Sequence, residues 1–301
     1  MAENSLDISV VLPFYNAAAT LSQAIESVLE QRGVPFELVL IDDGSSDGSP
    51  EIAARYASDP RVRLISHPNK GLSASLNIGV EQARADLIAR MDADDVSLPG
   101  RLEHQVQYLR ENPDVVLLGG QMVRLVGDER TTKSSFPVDH ERIVSALLQG
   151  QHAISHPTVA FRKDAVLEVG GYWNEGLAED WDLYLKLAEH GRLANLRDTV
   201  LDYRYHGSGI NADSMRTVRT NIALAVENHR RRQAGLEEYT GAQFRAALTP
   251  GRRFRIAAES RSLSLYRASL AGHGVQSRAL LACAAAAWPP FAWRRITQRE
   301  G

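Results

Sequence analysis

Three aspartates, Asp92, Asp94 and Asp95, fall within "RMDADD", directly after the apolar run "ADLIARM". Carboxylates this close raise one another's pKa values, so a fold keeps them together where a cation offsets the repulsion or water solvates them. Mg2+ and Mn2+ take oxygen ligands and are commonly held by one or two carboxylates plus substrate phosphates. A second doublet, Asp42-Asp43, opens "IDDGSSDGS" (41–49). Gly44 and Gly48 tolerate positive φ there, and Ser45, Ser46 and Asp47 can cap a following helix. A turn explains those residues but not the doubled carboxylate, which can accept hydrogen bonds from a base N–H or a ribose hydroxyl. A third group, Glu179, Asp180 and Asp182 in "GLAEDWDLYLKLAEHG" (176–191), stands before and within the first turn of an expected helix. The helix dipole favours acids there. A carboxylate on a rigid helix start can also take a proton from an attacking hydroxyl.

The elements that must position these groups show in the apolar pattern. "ISVVL" (8–12) is a continuous β-branched run, as in a strand buried on both faces, and is expected to stop at Pro13. Leu21, Ala24, Ile25, Val28 and Leu29 then recur at helical spacing before Gly33, and "ELVLI" (37–41) follows. A helix over 50–56, a strand over 61–65, a helix over 72–85 and a strand over 86–91 continue the alternation. Such a pattern predicts a doubly wound, mostly parallel α/β sheet, whose ligands sit beyond the carboxyl ends of its strands. That rule selects Pro13–Asn16, Asp42–Asp47 and Asp92–Asp95. Further on come a helix over 99–111, an apolar stretch over 115–126 and a helix over 139–149.

The formal charge of −3 hides an asymmetry: residues 207–301 carry fifteen arginines against six acidic residues, a balance of +9, which leaves −12 on residues 1–206. An acidic domain (1–206) and an Arg-rich helical extension (207–301) are therefore expected to do different jobs. The single cysteine, Cys283, has no intramolecular disulfide partner, and "MAENSLD" lacks the basic start and apolar core of a signal peptide, so a cytoplasmic location is expected. No apolar run reaches the ~20 residues that span a bilayer.

The ordered set "ISVVLPFYN", "SVLEQ", "ELVLIDDGSSDGS", "NKGLSASLNIGV", "ARADLIARMDADDVSLPGRL", "GGY" and "EDWDLYLKL" resembles the inverting family 2 glycosyltransferases, which have the GT-A fold; the likeness runs over about residues 7–206. It implies a non-processive transfer of one sugar, of hexosyl type, from a nucleoside diphosphate donor, with UDP favoured, to the hydroxyl of a glycan or lipid-linked acceptor in cell-surface polysaccharide biosynthesis. By the same likeness Tyr15 stacks on the nucleobase, with Pro13 and Asn16 shaping its turn. Asp43, or Asp42 beside it, accepts from the base. "DADD" matches the family's DXD motif, making Asp94 the chief ligand of Mn2+ or Mg2+, with Asp92 and Asp95 on the metal, its water, the ribose or the pyrophosphate. "ED" matches the segment that bears the catalytic base, Asp180 with Glu179 beside it. Lys70 and Arg101 can reach the pyrophosphate or be surface charges.

The bare chemistry agrees. A departing nucleoside diphosphate needs its charge neutralised, and no Gly-rich Walker loop is present to do so, which leaves a carboxylate-held cation. A nucleotidyltransferase would be expected to carry a Gly-rich loop with Arg and Lys after the first strand, and "PFYNAAATLS" has none. An inactive nucleotide- or glycan-binding module is the other alternative, against which stand the intact Asp94, Asp95 and Asp180. No match to the QxxRW motif of processive synthases follows residue 207. His156 before "TVAF" is read as structural rather than acceptor-binding. "HRRR" (229–232) and "GRRFR" (251–255), with Phe254 as their single aromatic, fall on presumed helices, so nucleic acid is not expected as a partner. Trp288, Phe291 and Trp293 beside Arg294 and Arg295 suit peripheral contact with a membrane.

Overall fold

The computed structural model of the chain describes residues 6–173, 176–205, 212–271 and 274–289. It divides into two compact units, Met1–Arg204 and Tyr205–Gly301.

In the first unit β1 (Ile8–Phe14) and β2 (Phe36–Asp42) are buried at every position, as strands covered on both faces must be. β3 (Val62–Ser66) and β4 (Leu87–Arg90) complete a parallel set around them. α1 (Leu21–Leu29) and α4 (Arg101–Glu111) press Leu21, Ile25, Val28, Leu102 and Val106 onto Val10 and Leu12 of β1. α3 (Leu72–Gln82) covers the opposite face, where Gly79 lies against Val11. α2 (Ser49–Arg55) connects β2 to β3. The sheet then adds β5 (Val96–Ser97), the long β6 (Val115–Val126), β7 (Glu129–Lys133), β8 (Ala160–Arg162) and β9 (Arg192–Arg204). The order is β3-β2-β1-β4-β8-β6-β9-β5, with β7 paired to β6. Six of the nine strands described, β1 to β4, β6 and β9, run one way, and β5, β7 and β8 oppose them. α5 (His140–Leu148), α6 (Lys163–Glu168) and α7 (Glu179–Leu187) fill the connections.

Two of the boundaries that differ from the sequence reading have a local reason. β1 continues through Pro13. Val11 gives its carbonyl to the Met91 N–H, so the Pro13 nitrogen, two residues on, faces the side where β4 has already ended, and no ladder donor is lost. α3 stops at Gln82 rather than near Ala85. The N–H groups of Arg84 and Ala85 are taken by Glu37 Oε1 at 2.7 Å and Ser9 Oγ at 3.0 Å, and those two buried side chains bond each other at 2.7 Å.

The second unit is helical where it is described: α8 (Ala212–Gln233), α9 (Gly241–Ala247), α10 (Pro250–Ala271) and α11 (Gly274–Ala287). Several of its arginines are paired internally. Glu259 accepts from Arg219 at 2.6 Å and Arg255 at 2.9 Å, Arg252 pairs with Glu227 at 3.2 Å, and Arg231 stacks 3.8 Å over Tyr239. No helix among the described residues is long and apolar enough to cross a membrane. Of the aromatic and basic segment expected to meet a membrane, Trp288 is partly buried, and Phe291, Trp293, Arg294 and Arg295 lie outside the described residues.

The Gly79 contact yields a prediction. Alanine is the better helix former by about 1 kcal/mol, but its Cβ would stand 2.3 Å from Val11 Cγ1 in the sheet core. Overpacking of that kind costs about 1–3 kcal/mol. Gly79→Ala should therefore lower the urea midpoint with little change in slope.

Candidate active site

The loops after β1, β2 and β4 meet at one end of the sheet. Asn16 adopts φ 49, a left-handed conformation that Asn tolerates. In it the Asn16 N–H donates to Ser45 Oγ at 3.0 Å, and Asn16 Oδ1 accepts from the Ser46 N–H at 2.8 Å. Asp47 Oδ2 accepts from the Ala18 N–H at 3.1 Å, and the Ser49 hydroxyl holds this carboxyl below its ordinary pKa. The loops after β1 and β2 are thus stitched together. Tyr15 stands 52% exposed above them while Pro13 is buried, which leaves the phenol face available for stacking.

Asp42 and Asp43 are both buried and both hydrogen-bonded to main chain. Asp42 Oδ1 accepts from the Ser45 N–H at 2.9 Å. Asp43 accepts from the Lys70 and Gly71 N–H groups at 2.8 and 3.0 Å, and His67 Nδ1 lies 3.5 Å away. Each carboxylate has acceptor capacity beyond these contacts, since a carboxylate offers about four lone-pair sites. Lys70 places its amide, not its ammonium, at this cluster, and its side chain is exposed. Arg101 is neither a surface charge nor a phosphate ligand. It is buried, with Nη2 on the Arg90 carbonyl at 2.7 Å, Nε on Gln105 at 3.2 Å and Nη1 on Met91 sulfur, and burial lowers its pKa to about 10.

The acidic loop is anchored on both sides. Thr20 Oγ1 donates to the Ala93 carbonyl at 2.9 Å, and β5 pairs antiparallel with Leu201 and Asp202 of β9. Arg204, the last residue of β9, then closes over the loop. Its N–H donates to Asp95 Oδ1 at 2.8 Å, and its guanidinium donates to the Asp94 carbonyl at 2.9 Å, Gln23 Oε1 at 2.6 Å and the Gly127 carbonyl at 3.3 Å. Asp92, Asp94 and Asp95 each bring a carboxylate oxygen within 4.8 Å of the others. Asp95 is buried, its Oδ2 has no hydrogen-bond partner, and burial together with Asp92 and Asp94 pushes its pKa well up. Three hard oxygen ligands, one buried and short of a partner, fit a divalent cation.

Arg90 joins this cluster to the third. It is buried at the end of β4, ion-pairs with Asp92 and has its pKa raised despite burial by that carboxylate. Its charge also acts on Glu179 and Asp180 at the start of α7. Ala178, at φ 71, turns the chain into that helix, and Trp181 locks it through Nε1 on the Leu147 carbonyl at 3.1 Å. Burial, then Asp180, pushes Glu179 up to about 7; burial, opposed by Arg90, pushes Asp180 up to about 6. Asp182 is instead neutralised by Lys186 at 2.8 Å, one turn on. His156, read from sequence as structural, packs in the same place: Nδ1 is 3.5 Å from Glu179 Oε1 and Nε2 is 3.1 Å from the Tyr172 hydroxyl. Arg90, Arg204 and Tyr172 are the site residues that sequence reasoning passed over, and it gave His156 no place in the site. The trace Arg90 leaves in the sequence is a charge interrupting an otherwise apolar strand, which does not tell a buried guanidinium from an exposed one.

The site therefore sets a cation-competent cluster and an acid pair about one arginine, with two further acceptors beyond β2, at the carboxyl ends of a doubly wound sheet. That is the layout of an enzyme that transfers groups from nucleotides. The model of glycosyl transferase family 2 matches residues 9–170, and the chain belongs to that family. It is similar to the putative glycosyltransferase EpsE of Bacillus subtilis, 34% identical over 244 residues that span 77% of this chain and 85% of that one. The UDP-Gal:alpha-D-GlcNAc-diphosphoundecaprenol beta-1,3-galactosyltransferase of Escherichia coli is 30% identical over 215 residues, 68% of this chain and 76% of that enzyme. Mannosyltransferase PcManGT of Pyrobaculum calidifontis, solved with GDP-Man and Mn2+, shares the fold with a TM-score of 0.58 at 20% identity, over 96% of this chain and 83% of that one. The sheet is accordingly of the GT-A type, and the protein is a glycosyltransferase.

The raised acids predict a pH effect with a definite sign. A carboxyl whose folded pKa lies above its unfolded value stabilises the fold fully below the unfolded pKa, and that contribution is lost as pH rises through the folded one. For Glu179 the window runs from the ordinary 4.5 to about 7. Glu179→Gln should raise Tm over the parent by about 3 °C or more at pH 8. The gain should shrink towards zero near pH 4, as melting scans across that range would show.

Proposed function

We propose that the chain is an inverting, metal-dependent transferase that moves one sugar from a nucleoside diphosphate sugar, with UDP as the first candidate base, to an acceptor hydroxyl. The observation that carries this is Arg90. It pairs with Asp92 on one side and acts on Asp180 and Glu179 on the other, so donor phosphate and acceptor proton are handled across one buried charge.

Asp94, Asp92 and Asp95 would hold Mg2+ or Mn2+, with Arg204 fixing the loop that bears them. When bound, the cation offsets the charge of the departing diphosphate. Tyr15 would stack on the base; Asp43 or Asp42 would accept from it, and Pro13, Asn16 and Lys70 would shape that end of the pocket. Asp180, with a pKa of about 6, is ionised at neutral pH yet basic enough to accept the proton of an attacking hydroxyl. The acceptor oxygen then bonds to the anomeric carbon as the bond to the diphosphate oxygen breaks, and the proton stays on Asp180. One displacement inverts the anomeric centre. The acceptor proposed is a glycan or lipid-linked sugar of polysaccharide biosynthesis, supported by the named activity of the E. coli relative. Peripheral contact with the membrane through residues 207–301 belongs to the same proposal and is supported by their charge of +9.

Two measurements test the reading. Thermal shifts with UDP, GDP, CDP and dTDP should show one base raising Tm only when Mn2+ is present, and Asp94→Asn should lose that shift while its own Tm stays close to the parent's. An unchanged Mn2+-dependent shift in Asp94→Asn removes the cation assignment. Asp180→Asn should keep the shift but lose turnover by about two to four powers of ten, as expected for a missing general base. Normal turnover would hand the role to Glu179 or Asp182.

A further inference from the structure

Behind the acid pair lies a chain of polar contacts that the proposed reaction does not yet use. Glu179 Oε1 stands 3.5 Å from His156 Nδ1, whose Nε2 is 3.1 Å from the Tyr172 hydroxyl. Tyr172 is buried, and its main chain is held from both sides by Asn77 of α3. Asn77 Oδ1 accepts from the Tyr172 N–H at 2.8 Å, and Asn77 Nδ2 donates to the Tyr172 carbonyl at 2.9 Å. The approach needs Gly171, which sits at φ 73 and whose Cβ, were there one, would lie 2.6 Å from Asn77 Oδ1. The His156 ring is flanked by Tyr172 and, edge-on, by Tyr184, with centroids 5.4 and 6.3 Å away. From α3 to the start of α7, four side chains are thus in register, and only the last is a carboxylate.

The chemistry of the chain assigns its polarity. Burial, aided by the Arg90 charge, keeps His156 neutral, so the ring has one N–H. An ionised Glu179 can only accept, which places that N–H on Nδ1; Nε2 must then accept from the Tyr172 O–H. In this arrangement each ring nitrogen faces a group of the opposite role, and reversing it would leave the carboxylate facing a lone pair. We infer that His156 is a positioning residue for the acid pair: through Nδ1–H it holds the Glu179 carboxylate beside Asp180, and Tyr172, fixed by Asn77 and Gly171, sets its tautomer. The contact is long for a hydrogen bond, as such contacts often are before substrate binds.

This role rests on Asp180 being the base, and the test keeps the two apart. The tautomer is read without substrate: 15N NMR of histidine-labelled protein at pH 7.5, with the His156 signals identified by their loss in His156→Gln, should show a neutral ring protonated at Nδ1. A ring protonated at Nε2, or an imidazolium, overturns the assignment. Function is read as UDP released from UDP-galactose with Mn2+, water standing in for the acceptor. His156→Phe keeps an aromatic ring but has no donor, and should lower kcat about 10- to 100-fold with the donor KM unchanged, the size of effect expected of a small misplacement. His156→Gln, which offers both a donor and an acceptor, should keep more activity than Phe, and Tyr172→Phe should fall between Phe and the parent. If packing alone mattered, Phe would match or exceed Gln, and that order overturns the role. Should His156→Phe not fold, Tyr172→Phe with the parent's kcat does the same. Asp180→Asn is the control: full turnover in it sinks the base assignment. An inactive Asp180→Asn beside fully active His156 variants sinks the positioning role alone.

Discussion

Six carboxylates, Asp92, Asp94, Asp95, Glu179, Asp180 and Asp182, come from two distant stretches of the chain to one end of the sheet. Two of them held about 5 Å apart repel by about 3 kcal/mol at an effective dielectric of about 20. Lys186 removes Asp182 from that sum locally. For the rest, the buried positive charge that reaches both groups is Arg90, which pairs with Asp92 and is felt by Glu179 and Asp180. Breaking a buried pair of this sort typically costs about 3–5 kcal/mol, because the partner is left behind uncompensated. The arginine tolerates its own burial because Asp92 stands at its head. A single guanidinium thereby fixes the distance between the end that handles phosphate and the end that handles the proton.

The parts of this arrangement that could be read from sequence are those encoded locally. "ISVVL" and "ELVLI" are strands because they are apolar without interruption, and "IDD" and "DADD" are site loops because they follow such runs. Asp180 and Glu179 show as acids at a helix start. Arg90 and Arg101 were not legible, since nothing in "IARM" or "PGRL" tells a buried guanidinium from an exposed one; what buries them is β8, α4 and the Thr158 and Met91 neighbourhood, assembled from residues up to seventy positions away. β9 was missed for a related reason. "RLANLRDTVLDYR" has no clean alternation, and it pairs with β6 through several register shifts that move its side chains from face to face. His156 was weighed as a lone histidine because its partners, Tyr172 and Glu179, lie 16 and 23 positions on and meet it only through the fold.

The Arg-rich region shows how composition can mislead about purpose. Arg219, Arg252 and Arg255 answer Glu227 and Glu259 within their own unit, and Arg231 lies over Tyr239. The Arg219 and Arg252 pairs hold α8 and α10 together, while the net balance of +9 over residues 207–301, from which these glutamates are already subtracted, is unchanged.

The bond from Arg204 to Asp95 is made by the main-chain amide, and so it is indifferent to which side chain occupies position 204. The guanidinium contacts to Asp94, Gln23 and Gly127 vary with the residue, whereas the cap on Asp95 disappears only if the position becomes proline, which has no N–H. Sequence drift at this end of β9 can thus loosen or tighten the acidic loop by degrees without uncapping its most buried carboxylate. The identity of residue 204 is a dial and its amide is a hinge pin.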